Sequence, residues 1–235
     1  MWNAALDEGL EDEVRKSDPY RWLASRFIDS RAARADVVAI YAFDHEIARA
    51  RRVASSPLIA EIRLTWWCEV LDEAFSGSEV RAHPVARALA LAVRRGNLAR
   101  QPLQAMIDAR FDALDPVPMG PDELDRWALA VGGSAAEIAA RILDPAAAAA
   151  AVSAAGRIWG LVMATWELNT EPGQITRLLK LAFMEAEPQV ASISAAAFPA
   201  VVQATLARGG PPVAGESGGP GARLKLLWAV PRGRL

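Results

Sequence analysis

Proline recurs directly behind a residue that suits the start of a helix: Asp18-Pro19, Ser56-Pro57, His83-Pro84 and Gln101-Pro102. A proline at the first helical position gives up no backbone hydrogen bond, and an Asp or Ser ahead of it can accept from an orphan N–H. Apolar residues then follow at helical spacing. After Asp18-Pro19 come Trp22, Leu23 and Phe27. After Ser56-Pro57 come Leu58, Ile62, Leu64, Trp66, Trp67, Val70, Leu71 and Phe75, closing at Gly77. Ala is abundant, Thr is sparse, and no run alternates β-branched with polar residues, so the pattern predicts an all-helical chain. With 52% hydrophobic residues in a length of 235, that chain can bury a substantial core.

The same signals place the remaining elements. A helix is expected from about Ser30 to Arg52, with Val37, Val38, Ile40, Tyr41 and Ile47 inside. Others are expected from His83-Pro84 to Gly96-Asn97, from Gln101-Pro102 through Leu114, and from Asp122 to Val131, the last ended by Gly132-Gly133. Ser134 to Leu143 and Asp144 to Glu167 follow. Residues 174–207 read as one or two helices broken near Pro188 and Pro199, and Arg223 to Val230 as a last helical piece. Asp115 to Pro121 reads as a loop, and Gly209 to Gly221 as a flexible linker or loop.

Several function classes are disfavoured. A net charge of -2 exerts no global pull toward nucleic acid. The lone Cys68 permits no internal disulfide, suits a reducing compartment and reads as a buried structural thiol. Met1 to Asp12 is acidic and lacks a secretory pattern, and no apolar run has membrane-helix character. The expected location is cytoplasmic. Two histidines allow no His-rich metal site, and no phosphate-loop glycine motif stands out.

The stretch carrying most functional information is Ile40-Tyr41-Ala42-Phe43-Asp44-His45-Glu46-Ile47-Ala48-Arg49-Ala50-Arg51-Arg52. His45, Arg49 and Arg52 are spaced i, i+4, i+7; the stripe fits anion binding, docking of an acidic partner or a solvated face. Asp108 and Asp112, at i, i+4, could hold a cation with Glu167, or form a solvated face pairing with Arg110.

The run beginning Tyr41-Ala42-Phe43 resembles the first metal helix of the squalene/phytoene synthase family. In that family Tyr-Ala-Phe leads into an aspartate box that holds magnesium against a prenyl diphosphate. Here the box positions fall on Ala48, Arg49 and Arg52, and guanidinium groups are donors only. Weaker phrases follow in family order: Arg26-Phe27, Trp66-Trp67 with Glu69, Leu71 and Gly77, His83-Pro84-Val85 with Ala88-Leu89, Asp108 to Leu114, Trp127 to Ser134, and Arg223 to Arg234. The second metal helix is matched by Gly156 to Glu167, where Gly160, Met163, Trp166 and Glu167 stand for the family's Gln, Asn, Arg and Asp, and the further Asp falls on Glu171.

The resemblance implies a single all-α domain over residues 1–235, an isoprenoid-synthase-type orthogonal helical bundle with a central cavity. It marks Ala48, Arg49, Arg52, Met163 and Glu167 as degenerate catalytic positions, and Asp108, Asp112 and Glu167 as the only metal candidates. Arg26, His45, Arg49 and Arg52 become candidates for binding an anion or partner, and Phe43, Trp66, Trp159 and Trp166 candidates for lining a cavity. The pattern is similar to the family's non-catalytic branch, which includes mitochondrial complex I assembly factor 6. It implies a pseudoenzyme that needs no cofactor and acts on respiratory-chain assembly intermediates, peripheral at an inner membrane. The alternatives are a magnesium-dependent prenyltransferase condensing allylic prenyl diphosphates, and a non-catalytic prenyl-lipid binder.

Overall fold

The computed structural model describes residues 4–213, 219–229, 233 and 235. Among them are eleven α-helices and no strand: α1 Ala4–Ser17, α2 Pro19–Ser25, α3 Arg31–Arg52, α4 Pro57–Ser76, α5 Pro84–Gly96, α6 Arg100–Asp112, α7 Pro121–Ala128, α8 Ser134–Leu143, α9 Ala149–Glu167, α10 Pro172–Ala186 and α11 Pro220–Ala229. Three of the expected helix starts are made by the expected side chains, whereas His83 makes no capping hydrogen bond at α5 and α6 begins at Arg100, ahead of Gln101-Pro102. Asp18 accepts from the Arg21 N–H, Ser30 from Ala33 and Ser56 from Ile59. Gly77 ends α4 in the left-handed region at φ 77°, and Asn97 ends α5 at φ 45°.

Helix α3 is the central element. Twelve of its 22 residues are buried, and it packs against α1, α4, α5 and α8. Helix α9 forms the opposite wall, packing against α7, α8 and α10. The core between them includes the fully buried Ile40, Phe43, Ile47, Leu64, Leu71, Leu89, Leu103, Met106, Ile107, Leu124 and Trp159.

Three readings of the sequence are corrected. Gly132-Gly133 does not end a helix: α7 runs through a π-helical turn, Leu129–Gly133, straight into α8. The glycines serve close approach instead. A Cβ on Gly132 would lie 2.4 Å from the Gly156 carbonyl oxygen, and one on Gly160 would lie 2.0 Å from that of Ala128. The wide π turn and the small residues of α9 let two backbones touch. Second, α9 begins at Ala149 rather than Asp144. The Asp144 side chain accepts from the Ala146 N–H, a local turn that competes with helix. After α10 the chain continues as 3-10 turns at Val190–Ser192, Phe198–Ala200 and Val202–Gly209, not as a second α-helix. Of the expected Gly/Pro linker, residues 214–218 lie outside the described residues, as does Val230 at the end of the last expected helix.

Gly160→Ala must therefore force two helices apart, at about 1–3 kcal/mol or more. Gly173→Ala on α10, where an added Cβ meets nothing within 4 Å, should be neutral or slightly stabilising. Urea denaturation of the two variants should separate them clearly.

Candidate functional site

On α3 the residues Tyr41, Asp44, His45, Ala48 and Arg52 recur at three- and four-residue spacing and so share one face. On α9, Met163, Trp166 and Glu167 do the same. These faces meet Ser17 at the end of α1, Asp18 at the cap of α2 and Arg21 within α2, around a cavity of about 40 Å³. Such a space holds about one water molecule.

The chemistry of this seam is a buried ion cluster. Asp44, at 1% side-chain exposure, lies 2.5 Å from the Arg21 guanidinium and 2.7 Å from that of Arg110 on α6. Arg110 reaches on to Glu167 at 3.2 Å, and Arg21 lies 3.7 Å from Asp18. Asp18 also accepts from the Trp159 indole N–H at 3.1 Å. Two cations thus serve three carboxylates, and four helices are tied together. Burial pushes the Glu167 carboxyl above its ordinary range, opposed by Arg110, and burial likewise raises Asp18 against the pull of Arg21.

Arg21 lies over the Tyr41 ring at 5.0 Å, and burial pushes the Tyr41 phenol up to about 12. The buried Tyr41 hydroxyl meets no hydrogen-bonding partner among the described residues. His45 is held down to about 4, first by burial and then by Arg52. It is neutral at pH 7.

The expected anion stripe divides. His45 and Arg52 face the small cavity, whereas Arg49, one residue beyond Ala48, is rotated away. Arg49 pairs with Glu46 at 2.5 Å and lines a separate groove with Trp66, Trp67 and His83. Arg26 is elsewhere, paired with Glu11 at 2.9 Å and lying over Trp22 at 5.1 Å. The four residues do not make one binding site.

The metal grouping Asp108, Asp112 and Glu167 is also corrected. Residue 110 lies about 200° around the helix from both 108 and 112. Arg110 therefore faces the buried cluster and Glu167, while Asp108 and Asp112 face an open groove of about 670 Å³ that Asp115, Glu123 and Trp127 also line. Among the described residues, the one set of three potential ligands within 4.8 Å of one another is Glu13, His45 and Glu46.

Of the proposed cavity-lining aromatics, Trp166 borders the small cavity and Trp66 the groove beside Arg49. Phe43 is fully buried edge-on to Trp67 at 5.5 Å, and Trp159 is fully buried edge-on to Tyr20 and Trp166 at 5.7 and 5.5 Å.

Asp44, Arg21, Arg110, Asp18 and Tyr41 received no site role from sequence reasoning. The available signal was Asp44 itself, a charge inside the apolar run Val37 to Ile47. A carboxylate on a helix face that must be buried requires cations from elsewhere.

Removing one partner of this cluster leaves a buried charge unpaired. Arg110→Ala and Asp44→Ala should each lower stability by about 3–5 kcal/mol, and the double variant by less than their sum. Denaturant midpoints of the four-member cycle measure this. The pH dependence has a definite sign at His45. The unfolded state takes up its proton near 6.5 and the folded state near 4, so His45's contribution is fully present above 6.5 and is lost as pH falls toward 4. Asp18 and Glu167, raised on folding, act in the opposite direction. His45→Gln should therefore reduce the loss of melting temperature between pH 7 and pH 4.5 relative to the parent chain.

The family model described as squalene/phytoene synthase matches residues 14–165, more than half of the chain. Over 102 residues the chain is 32% identical to NADH dehydrogenase (ubiquinone) complex I, assembly factor 6 of Bos taurus, a match taking in 43% of this chain and only 30% of that protein's length. A dehydrosqualene synthase crystal structure superposes with a TM-score of 0.71 at 16% identity, covering 97% of this chain and 96% of that one. Squalene synthase HpnC from Alicyclobacillus acidocaldarius superposes with a TM-score of 0.67 at 14% identity, covering 97% and 94%. The bundle is thus the all-α isoprenoid synthase fold, and the chain belongs to the squalene/phytoene synthase family.

Proposed function

We propose that this chain is a non-catalytic member of its family, an interaction or assembly factor rather than a prenyltransferase. The observation that carries this reading is the pairing of Asp44 and Glu167 with Arg21 and Arg110 inside the bundle. A paired-magnesium centre needs carboxylate oxygens free to face the ions. Here the best-buried carboxylate is already held by two guanidinium groups. Of the family's metal positions, Ala48, Arg49, Arg52 and Met163 offer no carboxylate, and Glu167, which does, is held by Arg110 at 3.2 Å. The donor set does not fit the metal.

The likeness to complex I assembly factor 6 supports protein partners, and respiratory-chain assembly intermediates are the class proposed. No helix among the described residues is long and apolar enough to cross a membrane. The proposed location is cytoplasmic, peripheral at the inner membrane.

Farnesyl or geranylgeranyl diphosphate with magnesium should yield no diphosphate release above a no-enzyme control. Affinity capture of the full chain from solubilised membranes should recover respiratory-chain subunits. Turnover that disappears in Asp44→Asn would refute the pseudoenzyme reading; capture without respiratory subunits would refute the proposed partner class.

A further inference from the structure

We propose that α11 rests its outer face on an anionic lipid bilayer. The helix has two apolar sides. Leu226 and Ala229 are buried where α11 packs on the 3-10 turn Val202–Gly209. Leu224, Leu227 and Trp228 are each 56% exposed. At about 100° per residue, these three fill an arc of about 100° whose centre lies opposite Leu226 and Ala229. A surface helix ordinarily turns polar residues to that side. Three large apolar side chains gathered there mark a surface that something covers.

Charge selects the occupant. Arg223 lies about 40° beyond one edge of the exposed arc, next to Leu227, and Lys225 about 60° beyond the other, next to Trp228. Both cations are exposed. Among the described residues no carboxylate lies within salt-bridge distance of either. The element beneath supplies none: Val202–Gly209 carries Arg208 and no acid, and Arg208 is paired with Glu187 at 2.5 Å. Residues 217–235 hold four basic side chains, at 223, 225, 232 and 234, and no acidic one, in a chain whose net charge is -2.

A second copy of this face is a poor match, because pairing two such helices would bring like charges together along both edges of the contact. The occupant must instead offer an apolar interior with anions on either side of it. A bilayer containing anionic lipid offers this in every orientation about its normal. The ten residues of α11 reach about 15 Å, half the thickness of a hydrocarbon core, so the helix lies along the boundary rather than across it. Leu224, Leu227 and the Trp228 ring then sit below the phosphates, and the stems of Arg223 and Lys225 reach back up to them. The inference rests on the peripheral location proposed above and gives it a means.

The full chain is to be sedimented with sucrose-loaded vesicles of phosphatidylcholine alone and of phosphatidylcholine with about 30 mol% phosphatidylglycerol. Partitioning should rise roughly tenfold or more with the anionic lipid and fall steeply as salt is raised. Leu224→Asp with Leu227→Asp should lower it roughly tenfold or more, and Arg223→Glu with Lys225→Glu should abolish the preference for anionic vesicles. Leu58→Asp with Ile62→Asp, exposed on α4, should change neither. Vesicles with brominated acyl chains should quench part of the tryptophan emission, and Trp228→Phe, which keeps the helix apolar, should remove that part. Helical circular dichroism of each variant checks that it is folded. No binding, equal binding to both vesicle types, or equal loss in the α4 variant would overturn the proposal. Anionic-vesicle binding that survives both α11 double variants would overturn it while leaving the peripheral location standing. A dimer dissociated by Leu227→Asp in a chain that ignores vesicles would overturn it in favour of a second copy. Respiratory subunits captured by a chain that ignores vesicles would overturn this surface and leave the assembly reading standing.

Discussion

Asp44 organises the middle of this bundle. A carboxylate at 1% exposure is tolerable only if other charges come to it, and two guanidinium groups do, from α2 and α6. That requirement fixes the depth and rotation of both helices relative to α3. Arg110 extends the same constraint to Glu167 at the end of α9. The cluster is a poor source of net stability, because desolvating its members costs about what their attraction returns. Its value lies in specificity: an α3 rotated by one residue would aim Asp44 into the aliphatic core, at a large cost.

The same seam relates this chain to its fold. In a bundle of this architecture the place between α3 and α9 is where a metal-dependent member would gather ionic ligands. Here the positive charge is covalently attached to the protein. An arginine neutralises a buried carboxylate as a divalent ion does, but it presents no open coordination position and no Lewis acidity. Under the non-catalytic reading, the fold has kept the polar seam as a structural tie after its ions became dispensable. Loss of carboxylates at positions 48, 49 and 52 and the presence of Arg21 and Arg110 are then parts of one change, since carboxylates without cations would repel.

Much of the backbone was legible because its signals are local. Ser30 and Ser56 act as caps, prolines sit where they lose no hydrogen bond, and Gly77 and Asn97 turn left-handed at helix ends. Gly132-Gly133 misled because the same residue serves two purposes. Local pattern cannot distinguish a helix stop from a place where another backbone, that of Gly156 and Gly160, must pass within contact. At the site, the identity of Ala48, Arg49 and Arg52 could be read from the sequence, but the residues that occupy the seam could not. Asp108 and Asp112 drew notice by their spacing, although it was Arg110, on the opposite face, that pointed inward. Which face of α6 turns to the core follows from packing by α4 and α8, which no local pattern contains.

Helix α3 also shows how one element can separate two electrostatic environments. Its inward face, from Tyr41 through Asp44 to Ala48, is closed, and the carboxylates there are met by buried guanidinium groups. Its outward face carries the pair Arg49–Glu46 at 2.5 Å beside Trp66 and Trp67, while Arg52 turns back to the cavity and Arg51 reaches the Glu167 carbonyl oxygen at 3.2 Å. The inner cluster is not neutral by itself, since two guanidinium groups meet three carboxylates, and Arg52 at the edge of the cavity supplies a third positive charge that acts against the rise of Glu167.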